Sequence, residues 1–278
     1  MLASMNVIDG GFGADGNQAF LDEWANWRGL KRIHITFDVD WAPDWMLQHL
    51  LRMLDRYPEV GCTFFATHET ELLKRISQEG RHEVGWHPNL GPGSSQGANT
   101  PEVLRALAKW YPDAVGCRFH VLGYSYRDLM KLAPAKLRYD VSYLLYNASH
   151  LQPAYHRDLD LTLIPYFWED GICENAGCEV SLNSVRLDTP GIKVLNFHPM
   201  NIYINGPSAK NRLEFMSHAG ALLECTEDFA RQYRQEGATG AQCVLESLLE
   251  KVVHERLIAR PVRDLEQAFT SYRLEERV

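Results

Sequence analysis

Apolar and polar positions along this chain switch repeatedly between a spacing of two and a spacing of three to four residues, which predicts strands and helices in alternation. A stripe of Phe20, Leu21, Trp24 and Trp27 predicts a first helix over 18–27, after an opening 1–14 that Gly10, Gly11 and Gly13 make loose. The run 33–41, IHITFDVDW, is β-branched and aromatic and is bounded by Pro43; it reads as a buried strand. A helix is expected over 44–57, capped by Asp44, with Trp45, Leu47, Leu50, Leu51 and Leu54 on its apolar face and Pro58 as its stop. Strands over 62–67 and 82–87 flank a helix over 69–79 that Gly80 ends. The loop PNLGPGSSQGAN then leads to a helix capped by Thr100, opened by Pro101 and reaching residue 110. Further strands are expected over 114–120, 137–144, 161–168 and 192–198, with a helix from Ser125 to 133. Two amphipathic helices, 241–258 and 261–274, close the chain and are expected to pack on the rest.

Repeated strand and helix units with apolar strands imply a parallel sheet covered by helices, open or closed into a barrel, and 278 residues suffice for one such domain. In either form, reactive groups belong at the carboxyl ends of the strands. The strand ends here carry Asp38 and Asp40, His87, Arg118 and His120, Glu169 and Asp170, and His198; no other part of the chain gathers histidines and carboxylates in this way. Alternation sends Asp38 and Asp40 to one face. Two like charges in one small volume are costly unless a cation or a proton lies between them, so the pair suggests a metal ligand beside a base or an acid beside a base. Helix capping is the alternative for such aspartates, and it is the reading adopted for Asp44. In 82–87, the same alternation groups Glu83, Gly85 and His87 and turns His82 away as a structural residue.

Charge and composition narrow the function class. A net charge of -8, with no block of lysines or arginines, argues against nucleic acid as a partner. The cysteines form no regular framework, and Cys173 and Cys178, lacking a second pair, are expected to be structural and reduced. The N-terminus has no basic start followed by an apolar core, and no run approaches the roughly 20 apolar residues of a membrane span, so a cytoplasmic location is expected. Neither a G-x-S-x-G elbow nor a Walker A or dinucleotide fingerprint occurs.

TFDVDW, HEVGWHPN, RFHVLG and NFHP, in this order and with these separations, resemble the successive motifs of the NodB-type polysaccharide deacetylases, carbohydrate esterase family four (CE4). FDVDW, HPN, GSSQG, PYFWED and NFHPMNIYIN further resemble its WbmS-like branch, linked to bacterial O-antigen biosynthesis. The likeness covers roughly residues 32–205 and leaves the two C-terminal helices outside the motifs. It implies a distorted (β/α)7 barrel, with 1–278 forming a single domain, and metal-dependent removal of an N- or O-acetyl group from a sugar. Residue by residue, it implies that Asp38 is the general base, Asp40 a metal ligand, His87 the first metal histidine, Arg118 the partner of the catalytic aspartate and His198 the general acid. A backbone N–H near Val121 would serve the oxyanion.

This chain departs from the family pattern at two points. The family's aspartates are adjacent, whereas Val39 intervenes here, which leaves the base and ligand roles of Asp38 and Asp40 open to exchange. Where the second metal histidine should stand, the chain has Asn89, Leu90 and Gly91. His120, which shares strand parity with Arg118, is the expected replacement, ahead of Gln96, whose amide is a poorer ligand, and Asp170. The resemblance implies a divalent cation, with zinc preferred, and an acetylated saccharide or sugar nucleotide as substrate. Trp41, Trp86, Tyr124, Tyr166 and Trp168 fall near the same rim and are candidates for stacking on a sugar ring, although each taken singly fits a core position better. Two other classes would use the same residues: another metal-dependent amidohydrolase acting on small C–N substrates, and an inert carbohydrate-binding relative, which the absent second histidine favours.

Overall fold

The structure, a computed structural model, describes residues 29–237 and 239–275; the helix expected over 18–27 and the loose opening 1–14 lie outside the described residues. The described strands are β1 (Arg32–Asp38), β2 (Cys62–Ala66), β3 (Glu83–Trp86), β4 (Gly116–Cys117), β5 (Tyr139–Leu144), β6 (Ala154–His156), β7 (Leu161–Tyr166), β8 (Trp168–Glu169), β9 (Val194–Phe197) and β10 (Ile258–Ala259). The helices are α1 (Asp44–Leu54), α2 (Glu71–Glu79), α3 (Thr100–Trp110), α4 (Tyr126–Leu129), α5 (Asp170–Asn175), α6 (Pro199–Ile204), α7 (Ala209–Ala219), α8 (Glu227–Arg231), α9 (Ala241–His254) and α10 (Val262–Glu275).

The strands run β7-β5-β4-β3-β2-β1-β9-β8, all paired in parallel. The two ends of this order belong to one continuous segment. β7 pairs with β5, the Phe167 N–H donates to the Val194 carbonyl, and β8 then pairs with β9. The chain therefore crosses from one edge of the sheet to the other within nine residues, and the sheet closes into a (β/α)7 barrel with no free edge in the ring. β6 lies antiparallel on β7, and β10 pairs with the start of β1.

Every residue of β1 is buried, as a strand covered on both faces requires. Ile33, Ile35 and Phe37 face the helix layer, where α1 contributes Met46, Leu47, Leu50, Met53 and Leu54 at helical spacing. Burying each such side chain contributes about 1.5–3 kcal/mol. The other face of β1 is polar: Thr36 and Asp38 look into the barrel. Arg118, just beyond β4, reaches Thr36 and Asp38 on β1 and Asn196 on β9, none of them on a strand adjacent to its own, so these contacts cross the interior. At the opposite end, the start of α10 closes the barrel. Val262 N–H donates to Thr63 Oγ1 at 2.9 Å and Arg263 N–H to Glu83 Oε2 at 3.0 Å.

Two caps differ from expectation. Asp44 is the first helical residue of α1 rather than its cap; Pro43 precedes it and no side chain caps the helix. In α3 the cap is Asn99, whose side chain accepts from Glu102 N–H, so Thr100 already lies inside the helix. Pro101 sits in the first turn as expected, where its missing N–H costs nothing. Helices α6, α7 and α8 fill residues 199–231, where short and irregular apolar spacing gives no clear period.

Candidate active site

The site forms at the carboxyl ends of β1, β3, β4 and β9. Asp38 is the last residue of β1, and the strand stops there. Asp40 and Trp41 both take left-handed backbone conformations (φ 47° and 57°), while Trp41 N–H donates to Thr67 Oγ1. Asp40 thus reaches the site through a tight turn, not through strand alternation as expected. Left-handed backbone at residues with a Cβ costs about 1–3 kcal/mol each and persists where surrounding contacts impose it.

His87 follows β3 directly. Its Nδ1 lies 2.6 Å from the Arg118 carbonyl, which can only accept, so Nδ1 carries the proton and Nε2 faces Asp40 Oδ1 at 3.1 Å. His120 stands in a short 3-10 turn beyond β4, yet the ladder with β3 continues to it: Arg118 N–H donates to the Trp86 carbonyl and His120 N–H to the Pro88 carbonyl. This carries the parity from Arg118 to His120. His120 Nδ1 lies 3.0 Å from Asp40 Oδ1 and 3.3 Å from His87 Nε2.

Three donor atoms of one carboxylate and two imidazoles therefore stand 3.0, 3.1 and 3.3 Å apart. Bonds of about 2.0–2.1 Å arranged tetrahedrally put ligand atoms roughly 3.3 Å apart, so this set fits a zinc-like cation with room for a further ligand. The Arg118 carbonyl behind His87 is the outer partner that fixes the ring orientation of such a ligand. Burial disfavours the charge on Asp40, but hydrogen bonds with His120 and His87, then the charges of His87 and His198, hold its carboxyl well below the usual range. Burial also opposes charge on His87, and the neighbouring Asp38 and Asp40 outweigh it and raise its pKa.

Asp38 lies deeper in the barrel. Arg118 Nη1 donates to Oδ1 at 2.9 Å, Asn196 Nδ2 donates to Oδ2 at 2.8 Å, and His87 Nε2 lies 3.8 Å from Oδ2. The Arg118 guanidinium is fully buried between the rings of Phe65 and Tyr166, 4.7 and 4.3 Å from their centres. Asn196 is a functional candidate that sequence reasoning missed. It stands two residues before His198 in NFHP, so strand parity with His198 was the available signal.

His198 caps α6 through its backbone, and its ring is tied to Asp170: Nδ1 lies 2.7 Å from Oδ1, and the His198 N–H donates to Oδ2 at 2.9 Å. Asp170, an alternative ligand by sequence, is instead fully buried as the partner of His198 and stands outside the three-donor cluster. Burial lowers the His198 pKa, yet the Asp170 charge and hydrogen bond, with Asp40 and Glu169, raise it well above the usual imidazole value. A cation on Asp40 would withdraw one of these contributions and leave that of Asp170.

Gln96 also stands outside the cluster. Its Oε1 accepts from Asn89 N–H and its Nε2 donates to the Thr67 and His87 carbonyls, so its amide is committed to bracing the loop behind His87. His82 is structural as expected, its Nδ1 accepting from Cys62 N–H. Of the five rim aromatics, Trp41 alone lines the cavity that contains Asp40, His120 and His198, with its ring at 88° to that of His120; Trp86, Tyr166 and Trp168 are buried, and Tyr124 stacks on Phe119 beside a separate cavity. Val121 takes a left-handed conformation, is 78% exposed, and does not line the cavity that contains Asp40, His120 and His198.

That cavity has a volume of about 590 Å³, within the range of small-molecule sites. Asp40, His120, Glu169 and His198 line it, and nine residues between 199 and 224 supply much of the rest of its lining. No described helix is long and apolar enough to cross a membrane.

A family model described as WbmS-like polysaccharide deacetylase matches residues 35–214. Among solved structures, one from Bordetella bronchiseptica, assigned as a polysaccharide deacetylase involved in O-antigen biosynthesis, is 30% identical with a TM-score of 0.69, covering 80% of this chain and 90% of that one. A CE4 esterase from Streptococcus mutans is 14% identical with a TM-score of 0.46, covering 88% of this chain and 90% of its own. A CE4 family pseudoenzyme from Bacillus anthracis is 14% identical with a TM-score of 0.43, covering 85% of this chain and 66% of that one. No curated protein matches.

Proposed function

The chain belongs to the WbmS-like family of polysaccharide deacetylases, and from that premise we propose that it is a cation-dependent hydrolase removing an acetyl group from an N- or O-acetylated sugar, a cytoplasmic precursor of surface polysaccharide. The observation that carries this reading is the meeting of the Asp40, His87 and His120 donor atoms beside two prepared proton carriers, Asp38 and His198. Asp40, His87 and His120 would hold the cation, with zinc preferred for two imidazoles and a carboxylate. When bound, it would polarise the acyl carbonyl and acidify a neighbouring water.

The remaining chemistry falls to side chains. Asp38, kept oriented by Arg118 and Asn196, takes the proton of the attacking water. His198, charged and aimed by Asp170, donates from Nε2 to the departing nitrogen or oxygen, and acetate leaves. Arg118 keeps its guanidinium throughout and acts by position.

The test is acetate release from N- and O-acetylated sugars by protein stripped with chelator and then reloaded with zinc. Release that depends on the metal supports the proposal. A loaded site that binds these sugars without releasing acetate overturns it in favour of a binding protein, and hydrolysis confined to small cyclic amides overturns it in favour of a different amidohydrolase.

A further inference from the structure

Among the described residues lining the cavity there is one arginine and no lysine, and its guanidinium is held at two points. Arg212, on α7, donates through Nε to Glu174 Oε2 at 2.8 Å and through Nη2 to Asn175 Oδ1 at 2.9 Å. Both partners lie on α5, the helix that begins at Asp170, so the guanidinium is braced on the same element that aims His198. Glu174 is 4% exposed and Arg212 lines the cavity. Nη1 has no hydrogen-bond partner among the described residues.

A surface clip between two helices does not require a buried carboxylate, because desolvating an ion pair costs about as much as the pair returns. Holding a guanidinium by one edge leaves its other edge free, and that fork matches the two oxygens of a carboxylate or phosphate. Met200, Met216 and Leu222 line the same cavity, and apolar walls lower the local dielectric and strengthen such a contact. We propose that Arg212 is the specificity-determining residue of this cavity and reads an anionic group, carboxylate or phosphate, carried by the acetylated sugar.

This inference rests on the deacetylase reading for the sugar but not for the anion site, and binding separates the two. Titration calorimetry at pH 8 with N-acetylglucosamine, its C6 carboxylate N-acetylglucosaminuronic acid, and UDP-N-acetylglucosamine compares neutral, carboxylate and phosphate probes in the absence of turnover. At least one anionic probe binds ten-fold or more tightly than the neutral one, and its identity distinguishes carboxylate from phosphate. Arg212→Gln removes that preference and Arg212→Lys keeps part of it. Glu174→Gln separates recognition from mere bracing: removing the competing carboxylate tightens binding of the anion about three-fold or more, whereas a purely structural clip would weaken or leave it. Equal affinities for the three probes, or a preference that Arg212→Gln retains, overturns the proposal. So does unchanged or weaker anion binding by Glu174→Gln, a variant that still reports should Arg212→Gln fail to fold. Tight anion binding without acetate release would leave Arg212 as proposed and remove the hydrolase reading alone.

Discussion

Arg118 Nη1 and Asp38 Oδ1 are 80 residues apart in the chain and 2.9 Å apart across the barrel interior. Neither strand neighbours the other, so the contact exists only because the ring is closed. With Arg118 fully buried, the pair is a functional commitment: each charge depends on the other.

Arg118→Gln should therefore fail in two ways. Turnover is expected to fall at least 100-fold, because the base loses its orientation, and stability by about 3–5 kcal/mol, because Asp38 is left buried without its cation. Urea unfolding beside acetate-release kinetics measures both. Loss of activity with full stability would show that Asp38 has other compensation.

The division of labour between the two aspartates can be read from bound metal. Asp38→Asn is expected to abolish turnover and keep a stoichiometric cation, whereas Asp40→Asn and His87→Ala should lose cation and turnover together, each at least ten-fold weaker in affinity. Elemental analysis of protein purified without chelator decides it; an empty Asp38→Asn site would mean that the roles are exchanged.

Asp170→Asn bears on the acid. Burial alone would lower the His198 pKa, and the Asp170 carboxylate is the largest contribution raising it. Activity that needs the imidazolium is present at low pH and lost as pH rises through that raised value. Asp170→Asn should thus move the alkaline limb of the kcat profile to lower pH. An unmoved alkaline limb would assign it to another group.

His34 offers a test of stability away from the site. Its Nδ1 bonds the Arg260 carbonyl and its buried Nε2 has no partner among the described residues; burial, first of the causes, lowers its pKa to about 4. A lowered imidazole pKa means that the folded state binds fewer protons, so its contribution is full above the unfolded value near 6.5 and is lost as pH falls toward 4. At pH 5 the loss is about 2 kcal/mol. Urea unfolding of the protein and of His34→Gln at pH 7.5 and pH 5 should show the extra pH dependence in the protein alone.

Much of the frame is legible in residue order. The apolar runs of β1, β2 and β9 and the stripes of α1, α9 and α10 carry their own period, and Gly80 marks the end of α2, whose start the cap Thr70 sets two residues later than the expected 69. Helices α6 to α8 are not legible in this way. Their apolar residues answer to neighbours already in place, and α6 is buried on all sides, so no amphipathic stripe marks it. The antiparallel β6 and the two-residue β10 are too short to carry a period at all.

What sequence alone determined is which chemical groups stand at strand ends: Asp38, His87, Arg118 and His198 follow from alternation and strand length, both local properties of the backbone. Tertiary structure decided which of these groups meet. Asp40 comes to His87 and His120 by a left-handed turn, Asp170 turns to His198, Gln96 becomes a brace, and Arg212 enters the cavity from a helix beyond the motifs. Such meetings depend on ring closure and on contacts between residues as many as 80 apart, where no local period can carry the information.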